Sequence, residues 1–503
     1  MLLKPKFFNY LAWFALLFGI IIRCFQYLSN RSLWGDEASL ALNIVDRSYL
    51  ELLQPLDHNQ AAPFGFLWIE KLATQLFGHS EYSLRLFPLI AGIASLFLLY
   101  ELGKNTVSVV ALPIALILFA SLKEPLYYAT EVKQYSSDVM VALLLSLVLI
   151  PLKNQILTLP KIILFGGLGI LAICLSHPAI FVLAGIESAN FLLTPAKRRR
   201  EILINRLPLY FIWIIGFGFF YSLTLANAAK NQNLHNAWKP EYPQSVLDLG
   251  WLINSLKRFF NNPLGFETID EISLIVFIIG SIIFLRKNKQ MFLVLMSPLF
   301  VTLVAAYLHK YPFRNRLILF LTPFFILIIA EGAAFLTSQF SKQKKLRTTA
   351  GVIIINLLIL PPLILSSIFF FVPETRHEIR PVIEYIQANQ QPNDGIFLVG
   401  GSPDQFEYYA AKYGYSKSMY FILPYNDFFN PETFSEQNWE EIKRTSSHLQ
   451  NKQRVWFIVS GLRREREVIV KPSLDRLGQK LDYFSKPGSL TYLYQMKSGE
   501  SRQ

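Results

Sequence analysis

The sequence predicts a mainly α-helical, polytopic membrane protein that ends in a small α/β domain. Three observations carry this reading: eleven apolar runs that approach or reach bilayer length, basic residues gathered in alternate turns between them, and a shift after residue 371 to mixed charge with short alternating apolar stretches. Composition agrees, because 52% of the 503 residues are hydrophobic, 15% are aromatic and only 17% are charged, with a mean hydropathy of +0.35. Soluble domains do not look like this. The formal charge of +13 does not point to nucleic acid, since the basic clusters sit in short turns where the positive-inside rule puts them. Cys24 and Cys174 both fall in apolar runs, so no disulfide framework is expected.

The runs lie near 7–28, 83–101, 107–123, 136–152, 161–177, 179–195, 207–226, 272–285, 290–308, 317–337 and 349–371. The first would be about 33 Å long as a helix, enough to cross a hydrocarbon core of roughly 30 Å. It is too long for a signal-peptide core and no small-residue cleavage site follows, so it reads as a retained anchor. Lys4, Lys6, Lys104, Lys153, Lys197 to Arg200, Arg286 to Lys289 and Lys342 to Arg347 all fall on one side if the N-terminus is cytoplasmic. An odd number of spans then places the C-terminus outside. Several runs fall short of the ~20 residues of an upright helix, which leaves room for tilt or a re-entrant segment.

The opposite face carries the longer polar connections, residues 29–82, 124–135, 227–271, 309–316 and everything after 372. Within the first, Ala62 to Phe77 is apolar but interrupted by Glu70 and Lys71, and is read as a helix lying in the interface. This gives two domains, 1–371 in the membrane and 372–503 outside it. In the second, Glu378 to Gln390 and Asp404 to Gly414 read as helices, and Gly395–Val399, Val455–Val459 and Leu490–Tyr494 as strands. Gly400-Gly401 follows a strand, but without a GxGxxG pattern a nucleotide site is not expected there.

Four groups of polar residues need a reason. Asp36 and Glu37 follow Trp34-Gly35 just beyond the first run. On a helix they diverge by about 100°, so one carboxylate does chemistry while the other holds a partner, unless both are solvated loop acids. In the loop 124–138, a helix starting at Glu131 would put Glu131, Tyr135 and Asp138 on one face. Asp138 then sits at the hydrocarbon edge, where a carboxylate has to face the bundle interior. Lys133 either pairs with a neighbouring acid or, with Tyr135, donates to a phosphate. The stretch His309 to Arg316 places Lys310, Arg314 and Arg316 on the side where cations are disfavoured, which calls for a local anion, either a lipid headgroup or a phosphate-bearing substrate. His177 reads as a structural hydrogen-bonding residue, and Glu187 as an interhelical one. No P-loop, HExxH, GxSxG or CxxC motif is present, which argues against an ATP-driven transporter.

Taken together, the acid pair in the first outer loop, the interfacial segment ending at Phe77-Gly78, Glu81 and Arg85 opening the next run, and the second acidic loop resemble the GT-C glycosyltransferases of the protein O-mannosyltransferase and aminoarabinose-transferase type (family 39-like). The resemblance covers residues 1–195 well, 309–323 in part, and the C-terminal domain only in general shape. It implies an inner-membrane bacterial enzyme, N-terminus cytoplasmic and C-terminal domain extracytoplasmic. Such an enzyme transfers a sugar with inversion from a polyprenyl-phosphate donor to an acceptor on a lipid, glycan or protein.

By the same resemblance Asp36 is the acceptor base with Glu37 beside it, and Glu131 is the second acid. Lys133, Tyr135, Arg314 and Arg316 engage the donor phosphate, with Arg85, His177, His309 and Asp138 as further candidates. Some relatives bind a divalent cation (Mg, Mn or Zn), for which Asp36, Glu37 and Glu131 would be the ligands, although no ligand spacing establishes one. The rival readings are a transporter or flippase of lipid-linked sugars and a non-catalytic scaffold.

Overall fold

The computed structural model describes residues 5–226, 236, 238–341, 346–399, 403–423, 452–461, 471–472, 474–475 and 478–496. Its helices are α1 (Pro5–Leu28), α2 (Gly35–Asp46), α3 (Phe64–Phe77), α4 (Glu81–Thr106), α5 (Ala111–Ser121), α6 (Lys123–Tyr127), α7 (Tyr135–Leu149), α8 (Leu159–Leu175), α9 (Ala179–Leu193) and α10 (Ala196–Phe220). They continue with α11 (Leu249–Asn261), α12 (Asp270–Lys287), α13 (Lys289–Tyr307), α14 (Thr322–Ser341), α15 (Leu346–Ile368), α16 (Arg380–Asn389) and α17 (Pro403–Ala410). Five strands follow from Gly395 onward, β1 (Gly395–Val399), β2 (Tyr420–Leu423), β3 (Arg454–Ser460), β4 (Gly478–Lys486) and β5 (Ser489–Met496). The chain divides into two compact units, Met1–Ser29 with Arg47–Pro373, and Asn30–Asp46 with Glu374–Gln503. The division falls at 373/374, where 371/372 was expected, and α2, with Leu40, Ala41 and Ile44 buried, packs on α17 and belongs with the C-terminal residues.

The first unit is all helical among its described residues, and each of the eleven apolar runs falls on a helix. Among the described residues, six helical stretches are long and apolar enough to cross a membrane, and a seventh forms if α5 and the segment Lys123–Thr130, bent by 62°, are taken as one broken span. The eleven expected spans are therefore more than length and composition support, since α8 and α9 are shorter apolar helices and α12 carries four charges at its ends.

The bend after α5 exposes carbonyls that have no helical partner. Buried Arg23 answers them, donating to Phe119 O at 3.1 Å and Ala120 O at 3.4 Å. Between α12 and α14 the backbones approach so closely that a Cβ on Gly280 would come within 2.0 Å of Ile328 O, the small-residue contact that lets membrane helices pack. Gly78, at φ +83, ends α3. Ser80 and Ser83 then start α4 with reciprocal bonds of 3.2 and 3.1 Å.

The second unit is built on a five-stranded sheet of order β2-β1-β3-β5-β4. The pairings of β1 with β2 and β3 are parallel, and those of β5 with β3 and β4 antiparallel. Phe397 lies opposite Phe457, and Trp456, fully buried, donates through Nε1 to Asp394 Oδ2 at 3.0 Å. The three expected strands are β1, β3 and β5. Gly400-Gly401 lie outside the described residues, as do most of the 227–237 connection and 342–345.

Candidate active site

In the second unit Asp36 and Glu37 occupy the first turn of α2, next to the positive end of the helix dipole. They diverge as their adjacency requires. Glu37 is buried and its Oε2 accepts the Trp34 N–H at 3.3 Å, the return bond of a capping box, whereas Asp36 is partly exposed. Glu37 thus takes part in shaping the helix start, and Asp36 is the more accessible of the two acids. Trp34 is flanked by the Arg376 guanidinium, 4.4 Å above its ring, and edge-on by His377 at 6.0 Å.

Burial, with Arg376 adding to it, lowers the His377 pKa to about 4. The folded state holds this ring neutral, so the stability it contributes is complete above the unfolded value of about 6.5 and is lost as pH falls through about 4. Thermal unfolding followed in this unit is expected to weaken between pH 6.5 and 4 by up to about 3 kcal/mol. His377→Gln should flatten that slope.

In the first unit the second acidic loop is not a helix from Glu131. Residues Tyr128–Thr130 form a 3₁₀ turn, Glu131 is extended (φ −116, ψ 140), and α7 begins only at Tyr135. The tight Lys133 N–H to Glu131 O bond of 2.6 Å turns the chain instead. The expected shared face of Glu131, Tyr135 and Asp138 is therefore corrected. Tyr135 and Asp138 share the first turn of α7, while Glu131 lies before it, fully buried.

What this unit does bring together is Arg316 and the second acidic loop. The Arg316 guanidinium lies 5.4 Å over the Tyr135 ring, and Tyr135 packs edge-on against Tyr128 at 5.2 Å. Lys133, 4% exposed, reaches Gln60 Oε1. Buried Arg85 is on α4, where Ser136 Oγ also bonds Pro88 O at 2.9 Å. Asp138 is buried one turn into α7.

Three expected candidates turn out to be engaged elsewhere. Arg314 Nη1 pairs with Glu241 Oε2 at 2.8 Å. His309 has its Nε2 2.8 Å from Pro243 O and stacks on Tyr242 at 5.0 Å. His177 is held near Thr224 Oγ1, 3.4 Å from its Nε2. Their sequence neighbours gave no hint of these partners, which lie about 50 to 70 residues away.

Glu70 was expected on the polar face of an interfacial helix, but it is fully buried in α3 and neither carboxylate oxygen has a hydrogen-bond partner among the described residues. Burial raises its pKa well above the ordinary carboxylate range. Its contribution to stability is thus complete below the unfolded value of about 4.3 and is lost as pH rises through the folded pKa. Glu70→Gln is expected to match the parent protein at pH 4.5 and to unfold at a higher temperature than the parent as pH is raised to 8. A constant difference across that range would contradict a neutral Glu70.

Among the described residues no three His, Cys, Asp or Glu side chains group closely enough to hold a metal ion. The divalent cation considered for Asp36, Glu37 and Glu131 therefore has no such group among them.

Residues 61–223 match the family model described as dolichyl-phosphate-mannose-protein mannosyltransferase. No curated protein matches the chain. Among solved structures, ArnT from Cupriavidus metallidurans in the apo state is 10% identical and aligns over 95% of this chain and 97% of its own at a TM-score of 0.51. The same protein bound to undecaprenyl phosphate is 11% identical, with the same coverage and TM-score. The archaeal oligosaccharyltransferase AglB from Archaeoglobus fulgidus, in complex with an inhibitory peptide and a dolichol-phosphate, is 12% identical and aligns over 96% of this chain and 74% of its own at 0.52. At such identities the likeness is one of fold.

Proposed function

We propose that this chain is a membrane glycosyltransferase with the GT-C fold, and that it moves a sugar from a polyprenyl-phosphate donor to an acceptor on a lipid, glycan or protein, with inversion at the anomeric carbon. The observation that carries the reading is Arg316 lying over the Tyr135 ring, two residues along the chain from buried Lys133. Two cations held by an aromatic ring and a glutamine, in a chain that lives in lipid, suit an anion borne by a membrane molecule. The donor's leaving group is a phosphate ester of low basicity, so it needs charge neutralisation more than a general acid. Lys133 and Arg316 supply this as the bond between the anomeric carbon and the phosphate oxygen breaks. The acceptor oxygen attacks the anomeric carbon from the side opposite the leaving phosphate and gives its proton to a carboxylate, the role assigned to Asp36. Glu131 is the second candidate acid.

In this reading the enzyme sits in a bacterial inner membrane, with its N-terminus cytoplasmic and the second unit outside. A flippase of lipid-linked sugars would use the same cations but has no need of a carboxylate presented at a helix start. The test is transfer from a radiolabelled polyprenyl-phosphate hexose to candidate acceptors by the purified protein in nanodiscs. Lys133→Gln and Arg316→Gln are each expected to raise the donor KM by roughly 10- to 100-fold, the loss of one charge-assisted hydrogen bond. Unchanged donor kinetics in both variants would remove the phosphate-binding role.

A further inference from the structure

We infer that the C-terminal α/β unit is a positioning device for Asp36: it spends the ligand crevice of its own sheet on residues 30–39 of the same chain. This rests on the role of Asp36 proposed above. In a parallel sheet, ligands bind outside the carboxyl ends of the strands where the strand order reverses. Here the order β2-β1-β3 puts that point between β1 and β3. Ser460 is the last residue of β3, and Gln405 lies in the first turn of α17, the helix that follows β1. Their side chains are hydrogen-bonded to each other, Ser460 Oγ donating to Gln405 Oε1, and both are buried. Ser460 is also 3.0 Å from Ser489 Oγ on β5. What this pair holds is backbone: Gln405 Nε2 donates to Leu33 O at 2.6 Å and to His377 O at 3.1 Å.

The rest of the segment is held the same way. Leu33 N–H donates to the Tyr409 hydroxyl at 2.8 Å, so both polar groups of that peptide are answered by side chains of α17. Glu378 accepts from Ser32 N at 3.1 Å and from Ser32 Oγ at 2.9 Å. Arg380 donates to the Asn30 carbonyl, and Asp404 is hydrogen-bonded to Ser39 Oγ. Leu33 precedes Asp36 by three residues and Ser39 follows it by three, so the acid lies between two anchors. Buried backbone groups have to be paired. Because residues 30–33 form no helix or strand, these side chains dictate the path by which the chain enters α2. Gln405, Tyr409 and Asp404 are thus positioning residues for Asp36.

The experiment compares Tyr409→Phe and Gln405→Leu with the parent protein in nanodiscs, using the hexose-transfer assay and hydrogen exchange. Both variants are expected to lower kcat at least tenfold with the donor KM unchanged, and to shift the acidic limb of the kcat profile. Exchange protection should be lost in residues 30–39 while β1 and β3 keep theirs. Unchanged kcat in both variants, or protection lost equally in β1 and β3 in both, would overturn the proposal. Asp36→Asn separates the two readings. If it is inactive while the two variants transfer normally, the positioning role fails and the function stands. If it transfers normally, the role of Asp36 fails, and with it the positioning proposal.

Discussion

Asp36→Asn is expected to slow sugar transfer by roughly 10²- to 10⁴-fold, the usual contribution of a positioned general base, with little change in the donor KM. The amide keeps the shape of the side chain but has no capacity to take the acceptor's proton. Asp36 lies in the first turn of α2 and is partly exposed, whereas Glu37 is buried and bonded to the Trp34 N–H. The two adjacent acids should therefore differ sharply. Glu37→Gln retains an acceptor for that N–H and should cost far less in rate, while Glu37→Ala removes half of a capping box and should cost about 1 kcal/mol in stability. Single-turnover rates in nanodiscs, with exchange protection of α2 measured alongside, make the comparison. Equal losses from Asp36→Asn and Glu37→Gln would mean that the pair acts as a unit and that the division of labour is wrong.

The largest effect on stability should come from Arg206→Leu. Arg206 and Glu187 are 1% and 4% exposed, and they form a buried ion pair between α10 and α9. The Tyr210 hydroxyl adds a bond of 2.9 Å to Glu187, and Arg206 also donates to the Leu152 carbonyl. Removing only the arginine leaves an unpaired buried carboxylate, a loss of about 3–5 kcal/mol. Replacing both, as Glu187→Met with Arg206→Leu, removes the two charges together and should recover most of that loss. Thermal unfolding in detergent measures both. A double variant no more stable than Arg206→Leu would show that the network contributes through more than charge pairing. The interhelical bond expected of Glu187 is present, but its partner was not foreseen, since Arg206 lies 19 residues away in a different run.

The C-terminal sheet shows where reading a sequence stops. β1, β3 and β5 were identifiable because they are central and their apolar runs are buried on both faces. β2 and β4, the two edges, were not: β2 is apolar but only four residues long. β4 carries Gln479, Lys480, Asp482 and Lys486, largely in contact with solvent, and an edge strand has no need of a continuous apolar run. A related limit applies to Glu131. The i, i+4, i+7 spacing assumed an unbroken helix, but the chain turns between Thr130 and Tyr135, and no glycine or proline marks the break.

Membrane residence, the helical runs and the residue types of the site followed from order along the chain alone, because hydropathy, helix length and turn charge are local properties. The resemblance carried by the first 195 residues added the fold class, which the solved structures share. That Glu37 is buried and bonded to the Trp34 N–H, that Arg316 lies over Tyr135 while Arg314 pairs with Glu241, and that α2 falls with the C-terminal unit were decided by tertiary structure. The physical reason is distance along the chain. Leu33 is held by Gln405 and Tyr409, Tyr135 is covered by Arg316, and Arg314 is paired with Glu241. Contacts between residues roughly 70 to 380 positions apart leave no periodicity for a sequence to display, and they determine which partner each of several similar side chains meets.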